Sequence, residues 1–231
     1  MRILAIETSS RLGGVAVAED GKLLDERIFR KGMVHGQSLL PTIEGMLQAA
    51  GWQIAQIDVV AVDEGPGSFT GLRIGVMAAK TICWATGAKL VGVCSADALY
   101  MTAKEAGISD PLGVVIDAYR GCVYAALFDN DKRLFLDMLQ PKEAAKRMAE
   151  TATLVGEGAL RWRKVFEQHH LTVEEGVVYP APRWGALLGF EAARSGQNHD
   201  PRTFVPRYLR PSEAEERRHI DASPDHLKEP N

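Results

Sequence analysis

The side chains able to do chemistry fall in a few short stretches. Glu7-Thr8-Ser9-Ser10 gathers a carboxyl group and three hydroxyls where a first strand runs into a second. Such groups face a phosphate or a cation in some proteins; elsewhere they only satisfy the backbone of a turn. His35 opens His-Gly-Gln-Ser-Leu. Two histidines four apart on a helix would place both imidazoles on one face, ready for a metal. Position 39 is leucine, and no carboxylate nearby replaces the missing ligand, so no metal site is expected. Ser68 lies outside a G-x-S-x-G context, and no His or Asp stands in a supporting motif, so serine hydrolysis is not indicated. Asp117-Ala118-Tyr119-Arg120-Gly121 ends an apolar strand in a polar turn, where the aspartate is either a catalytic carboxylate or a turn former. The adjacent His169 and His170 point to different faces of a helix and make no ligand pair.

The longest unusual stretch runs from Asp63 through Glu64-Gly65-Pro66-Gly67-Ser68-Phe69-Thr70-Gly71-Leu72-Arg73-Ile74-Gly75. It follows an apolar run, 57–62, that reads as a strand, and it precedes a helix reaching Thr86, with Gly87 as stop signal. Ser68 or Thr70 caps that helix. A helix start after a glycine turn attracts anions, but a phosphate loop of the G-x-x-x-x-G-K-[ST] type needs a lysine before the hydroxyl residue. Here Phe69 precedes Thr70, and the first lysine is Lys80. Gly71, Gly75, Ala79 and Cys83 recur every fourth residue and line one face. Glycine inside a helix costs up to about 1 kcal/mol against alanine, so the stripe has a packing purpose. It either seats the preceding helix of the same domain or meets another chain.

The elements that must carry these residues alternate. Strands are expected over 2–7, 14–18 and 22–29, the last two joined by a tight turn at Glu19-Asp20-Gly21-Lys22. A helix over 38–50 presents Leu39, Leu40, Ile43, Met46 and Leu47 at helical spacing; Pro41 either sits in its first turn or kinks a helix begun near His35. After the helix ending at Thr86 come a strand at 89–93 and a helix that Ser95 caps, reaching Ala106. A boundary falls at 107–111. Beyond it the order restarts: strands at 112–117, 122–128 and 133–138, a helix 141–150, a strand 154–156, a helix 159–169, a strand 177–179 and a helix 183–195. No residue-level repeat is visible, but the gross order recurs. The segment from Ser212 to Asn231 is charged and proline-bearing; its start suits a short acidic helix, its end disorder.

Composition narrows the field. The chain has 231 residues, 46% hydrophobic and 25% charged, which suits an ordinary globular protein with a real core. A net charge of −3 disfavours unaided grip on nucleic acid. Cys83, Cys94 and Cys122 are far apart, as suits buried thiols in a reducing compartment. Nothing resembles a signal peptide or a membrane span, so a cytoplasmic protein is expected.

Taken together, these motifs resemble the TsaB (YeaZ) family, the non-catalytic partner of TsaD in bacterial threonylcarbamoyladenosine modification of tRNA. The matching pieces are Met1 to Thr8, His35 to Pro41, Gly65 to Gly75, Asp117 to Tyr124, and Val205-Pro206-Arg207-Tyr208-Leu209-Arg210. The resemblance implies an α/β, actin-like and Hsp70-like (ASKHA) fold of two related halves. The first would cover 1–109, with 204–216 packing back on it, the second 110–203, with 217–231 a disordered tail. It also implies a scaffold with no catalytic residue, cofactor or metal of its own. The helices over 36–50 and 71–86 would pack on a TsaD-like transferase subunit, or on a second copy as a homodimer. Leu39, Ile43, Met46, Gly71, Gly75, Ala79 and Cys83 would then form the partner interface. A third, ATPase subunit belongs to such complexes, and tRNA would be met only through the complex. Leu39 agrees with loss of the metal-binding H-x-x-x-H of TsaD. In actin-like and sugar-kinase folds the first hairpin carries an aspartate toward nucleotide phosphates; here the acid is Glu7, one methylene longer, and Tyr119 stands where arginine is usual. Two rival readings are an active ASKHA phosphotransferase using Glu7, Thr8 and Asp117, and a peptidase, the latter lacking a nucleophile–base pair.

Overall fold

The computed structural model describes residues 1–29 and 35–209; the tail from Arg210 onward and the His35 side chain lie outside the described residues, and so do the expectations placed on them. Three antiparallel strands open the chain: β1 (Arg2–Glu7), β2 (Gly14–Glu19) and β3 (Lys22–Ile28). Then come α1 (His35–Ala49), β4 (Val59–Gly65), α2 (Phe69–Thr86), β5 (Lys89–Cys94) and α3 (Ser95–Glu105). β1, β4 and β5 run parallel, giving a mixed sheet of order β3-β2-β1-β4-β5. The run Ile3–Ile6 is wholly buried because helices cover both faces of this central strand.

The second half repeats this plan. β6 (Leu112–Asp117), β7 (Val123–Asp129) and β8 (Lys132–Leu139) form the meander, followed by α4 (Pro141–Arg147), β9 (Thr153–Val155), α5 (Glu157–Arg161), α6 (Arg163–Glu167) and β10 (Thr172–Val173). Its sheet order, β10-β9-β6-β7-β8, matches the first strand for strand, with the same parallel and antiparallel pairings. This is the two-fold repeated α/β plan of the ASKHA fold, and it gives physical form to the recurring order in the sequence.

Four packed clusters hold the halves. One face of the first sheet is covered by α1 and α2 through Leu39, Ile43, Met46, Val76 and Ala79 over Leu4, Ile6, Val60 and Val62. α3 carries Leu99, Tyr100 and Ala103 onto the second sheet, at Leu112, Val114 and Ile116. α4, α5 and α6 cover the other side of that sheet around Phe166 and Leu154.

The last helix among the described residues, α7 (Pro182–Arg194), falls within the 110–203 segment expected to form the second half. It lies on the first sheet, with Ala186 and Ala193 packed among Ile3, Ala5, Ala16, Ala18 and Ala61. A side chain at Gly189 would strike the Ala61 methyl, and one at Gly185 would touch Ala5. Small residues on the helix meet small residues on the strands, which lets the backbones approach.

Smaller differences have local causes. The expected helix over 159–169 breaks at Trp162, whose backbone (φ −107°, ψ 20°) leaves the helical region. The last strand is at Thr172–Val173 rather than 177–179; there the Val177 carbonyl instead accepts from the Gly156 N–H at 2.9 Å. α4 ends at Arg147, three residues before the expected Glu150. Ser95 does not cap α3: it is the first helical residue, and its hydroxyl turns to Asp63. α1 begins at His35 and keeps Pro41 inside it. Phe204 reaches the first core and Leu209 packs on the second, so residues 204–209 run across both halves.

Candidate functional site

The glycine stretch is positioned from both ends. Gly65 has φ +104°, open to glycine alone without strain. Ser68 caps α2, its hydroxyl accepting the Gly71 N–H at 3.2 Å, and Gly87 in the left-handed region closes the helix. The Ser68 N–H in turn donates to the Ser9 carbonyl at 2.6 Å, which seats the helix start on the β1–β2 loop.

The small-residue stripe faces inward. A Cβ at Gly71 would collide with the Thr8 carbonyl, one at Gly75 with the Thr8 hydroxyl, and one at Gly67 with the Ser9 backbone. Ala79 and Cys83 are buried in the first core, as are Leu39, Ile43 and Met46 of α1. All seven residues expected at a partner interface therefore serve the chain's own packing. Their spacing marks a close helix–strand approach, because α2 must reach β1 and its following loop. Burial lifts the Cys83 thiol to about 11, and it stays inert.

The opposite face of α2 carries large apolar side chains too, and they are exposed. Met77 is 63% exposed, Trp84 80% and, on α1, Leu40 60%. Between the helices lies a groove of about 620 Å³ lined by Leu40, Phe69, Arg73, Ile74, Met77 and Thr81. Its floor is Leu39 and Ile82, so core and groove are continuous. One end is fixed by the 204–209 segment. The Arg73 guanidinium lies 4.0 Å over the Phe69 ring and donates to the Tyr208 hydroxyl at 3.2 Å, while Phe69 and Tyr208 rings are 4.6 Å apart. Lys80 Nζ holds the Phe204 carbonyl at 2.9 Å. The sequence reading missed Met77 and Trp84. Their signal was present: they stand seven residues apart, opposite the glycines, so that α2 carries large apolar side chains on a second side as well.

The polar residues singled out from the sequence do not assemble into one reaction centre. Glu7 and Asp63 meet at the ends of β1 and β4, both buried; burial foremost, then the Asp63 charge, holds the Glu7 carboxyl well above the usual carboxylate range. Asp117, at the equivalent end of β6, is instead paired with Arg161 at 2.5 Å. Ser68 is committed to capping, and Thr8 is packed beneath Gly75. Cys94 accepts from Arg133 at 3.2 Å, and burial raises its thiol to about 11. Among the described residues no group of three or more His, Cys, Asp or Glu is placed to hold a metal ion, and no helix is long and apolar enough to cross a membrane.

Known proteins resemble this chain over most of its length. A family model described as TsaD, tRNA N6-adenosine threonylcarbamoyltransferase, matches residues 32–193. The tRNA threonylcarbamoyladenosine biosynthesis protein TsaB of Bacillus subtilis is 27% identical, over 93% of this chain and 96% of its own length. The protein of the same name from Escherichia coli is 27% identical, over 91% of this chain and 95% of its own. A Pseudomonas aeruginosa crystal structure, described as similar to peptidase YEAZ, superposes with a TM-score of 0.79 at 24% identity, covering 90% of this chain and 99% of that one, and so shares the fold. The chain belongs to this TsaD-related family, as a TsaB/YeaZ family protein.

Proposed function

We propose that this protein is a non-catalytic subunit that docks a TsaD-like transferase and so supports threonylcarbamoylation of adenosine in tRNA. The observation that carries the reading is the exposed apolar surface of α1 and α2, with Leu40 and Met77 lining a groove that the described residues leave open and Trp84 exposed farther along α2. Exposed aromatic and methionine side chains around a concave apolar surface suit a protein partner. The names of the B. subtilis and E. coli relatives supply the process. Alone, a second copy would use the same face. An ATPase subunit and tRNA would join through the complex, since the net charge of −3 gives this chain little grip on phosphates.

The chain's own phosphotransfer is disfavoured by the β1–β2 loop. The Ser9 carbonyl is engaged by the Ser68 N–H, and Gly67 and Gly71 lie on Ser9 and Thr8 where a phosphate would need room. The test is light scattering after size exclusion, on this protein alone and mixed with the TsaD-like protein of its organism. A one-to-one complex that depletes any homodimer is expected. Two species that ignore each other, with or without ATP, overturn the proposal.

A further inference from the structure

Glu7 and Asp63 lie at neighbouring ends of parallel strands, 4% exposed each. Glu7 Oε1 accepts the Ser9 N–H at 2.8 Å and the Ser9 hydroxyl at 2.6 Å. Asp63 Oδ1 accepts the Gly65 N–H at 2.7 Å and the Ser95 hydroxyl. Asp63 Oδ2 is buried with no hydrogen-bond partner, and the parallel register of β1 on β4, Ile6 opposite Val62, sets Glu7 beside Asp63.

Among the described residues, none of the surrounding elements brings a cation to this pair. On β4, Glu64 turns away over Gly92 and meets Arg207. On α2, Arg73 is held on Phe69 and Tyr208. On α3, Asp97 is bound by Arg133. Arg11, beyond the β1 loop, bonds Tyr119, and Arg183 of α7 bonds Glu26 and Glu105. Two ionised carboxylates side by side, dry and without a counter-charge, are not a stable arrangement.

We propose that Glu7 and Asp63 share one proton, carried by Glu7 and donated to Asp63 Oδ2, as an acid–carboxylate bridge between the ends of β1 and β4. Burial and the Asp63 charge, which raise the Glu7 carboxyl's proton affinity, act in the same direction. The bridge underlies the helix start, because Ser9 carries Ser68 and Gly65 leads into the same turn. The sign follows from linkage. Below the ordinary glutamate value of 4.5 both folded and unfolded chains hold the proton, and the bridge contributes in full. Above it the unfolded chain loses the proton first. Stability then falls with rising pH until the folded Glu7 also ionises.

The experiment uses the full chain, melted from about pH 5 to about pH 9, as wild type and as Glu7→Gln, with magnesium or with chelator. The wild-type folding equilibrium is expected to weaken by up to about tenfold per pH unit over that window. Glu7→Gln, whose amide N–H donates where the acid O–H did, is expected to lose that slope and to match or exceed wild type at about pH 8. A variant melting well below wild type there overturns the proposal, as does magnesium that stabilises wild type but not the variant, which would mean a cation holds the pair. Carboxyl carbon NMR of labelled glutamate tests it without any folding assumption. A protonated Glu7 resonance at neutral pH, absent from Glu7→Gln, is expected; an ionised Glu7 refutes the bridge.

Discussion

Both faces of α2 carry apolar side chains, yet they differ in size and exposure. The inner face is built of Gly71, Gly75, Ala79 and Cys83, trimmed so that the helix lies against Thr8 and Ile6. The outer face is built of Phe69, Arg73, Ile74, Met77, Thr81 and Trp84, long side chains with nothing of the described chain over most of them. Small residues therefore mark where this helix touches its own sheet, and large exposed ones mark the face proposed to meet a partner. A stripe of small residues alone does not say which neighbour it serves; what a Cβ would strike does.

Each face can be tested by a substitution that leaves the other alone. The largest effect is expected at Gly75→Leu. Its side chain would overlap the Thr8 hydroxyl and crowd Ile6, so a loss of about 3 kcal/mol or more is expected, read as collapse of the thermal melt. Complex formation would fail with it, for want of a fold. Met77→Asp should do the reverse. At 63% exposure it should leave stability within about 0.5 kcal/mol, while placing a charge in the groove and costing about 2 kcal/mol of partner binding by titration calorimetry. Trp84→Ala is expected to weaken binding by a similar or smaller amount, also with an unchanged melt. The smallest effect belongs to Ser68→Ala. Loss of the bond to the Gly71 N–H should cost about 1 kcal/mol in a denaturant titration and shift partner binding little.

Much of the fold was legible in the sequence because its signals are local. The Ser68 cap, the Gly87 stop and the turn at Glu19–Lys22 each depend on a few adjacent residues, and α2 and the β2–β3 hairpin fall where those residues put them. The side of the sheet taken by α7 was not legible, since it rests on Gly185 and Gly189 meeting Ala5 and Ala61, partners more than a hundred residues away. β10 is too short for periodicity to reveal, with two residues in parallel pairing on β9. The proposed docking face was hidden for another reason. With apolar residues on both its inner and its outer side, α2 offers no clean period that distinguishes inward from outward, and the packing on β1 and its loop settles that Gly75 points in and Met77 out. Glu7 stood out as a carboxyl group in the sequence, but its meeting with Asp63 required two strands to pair in parallel.

The same contrast can be read directly from methionine methyl groups. Met77 lies on the outer face, and Met46 of α1 is fully buried beneath it in the first core. The most direct measurement follows both resonances, in protein labelled at the methionine methyls, while the TsaD-like protein is added. A shift or broadening of Met77 that saturates at one equivalent, with Met46 held in the environment of the folded core, is the expected result. A complex that forms while Met77 stays unperturbed would contradict the docking face, and with it the account of α2 as a helix that serves its own sheet on one side and a partner on the other.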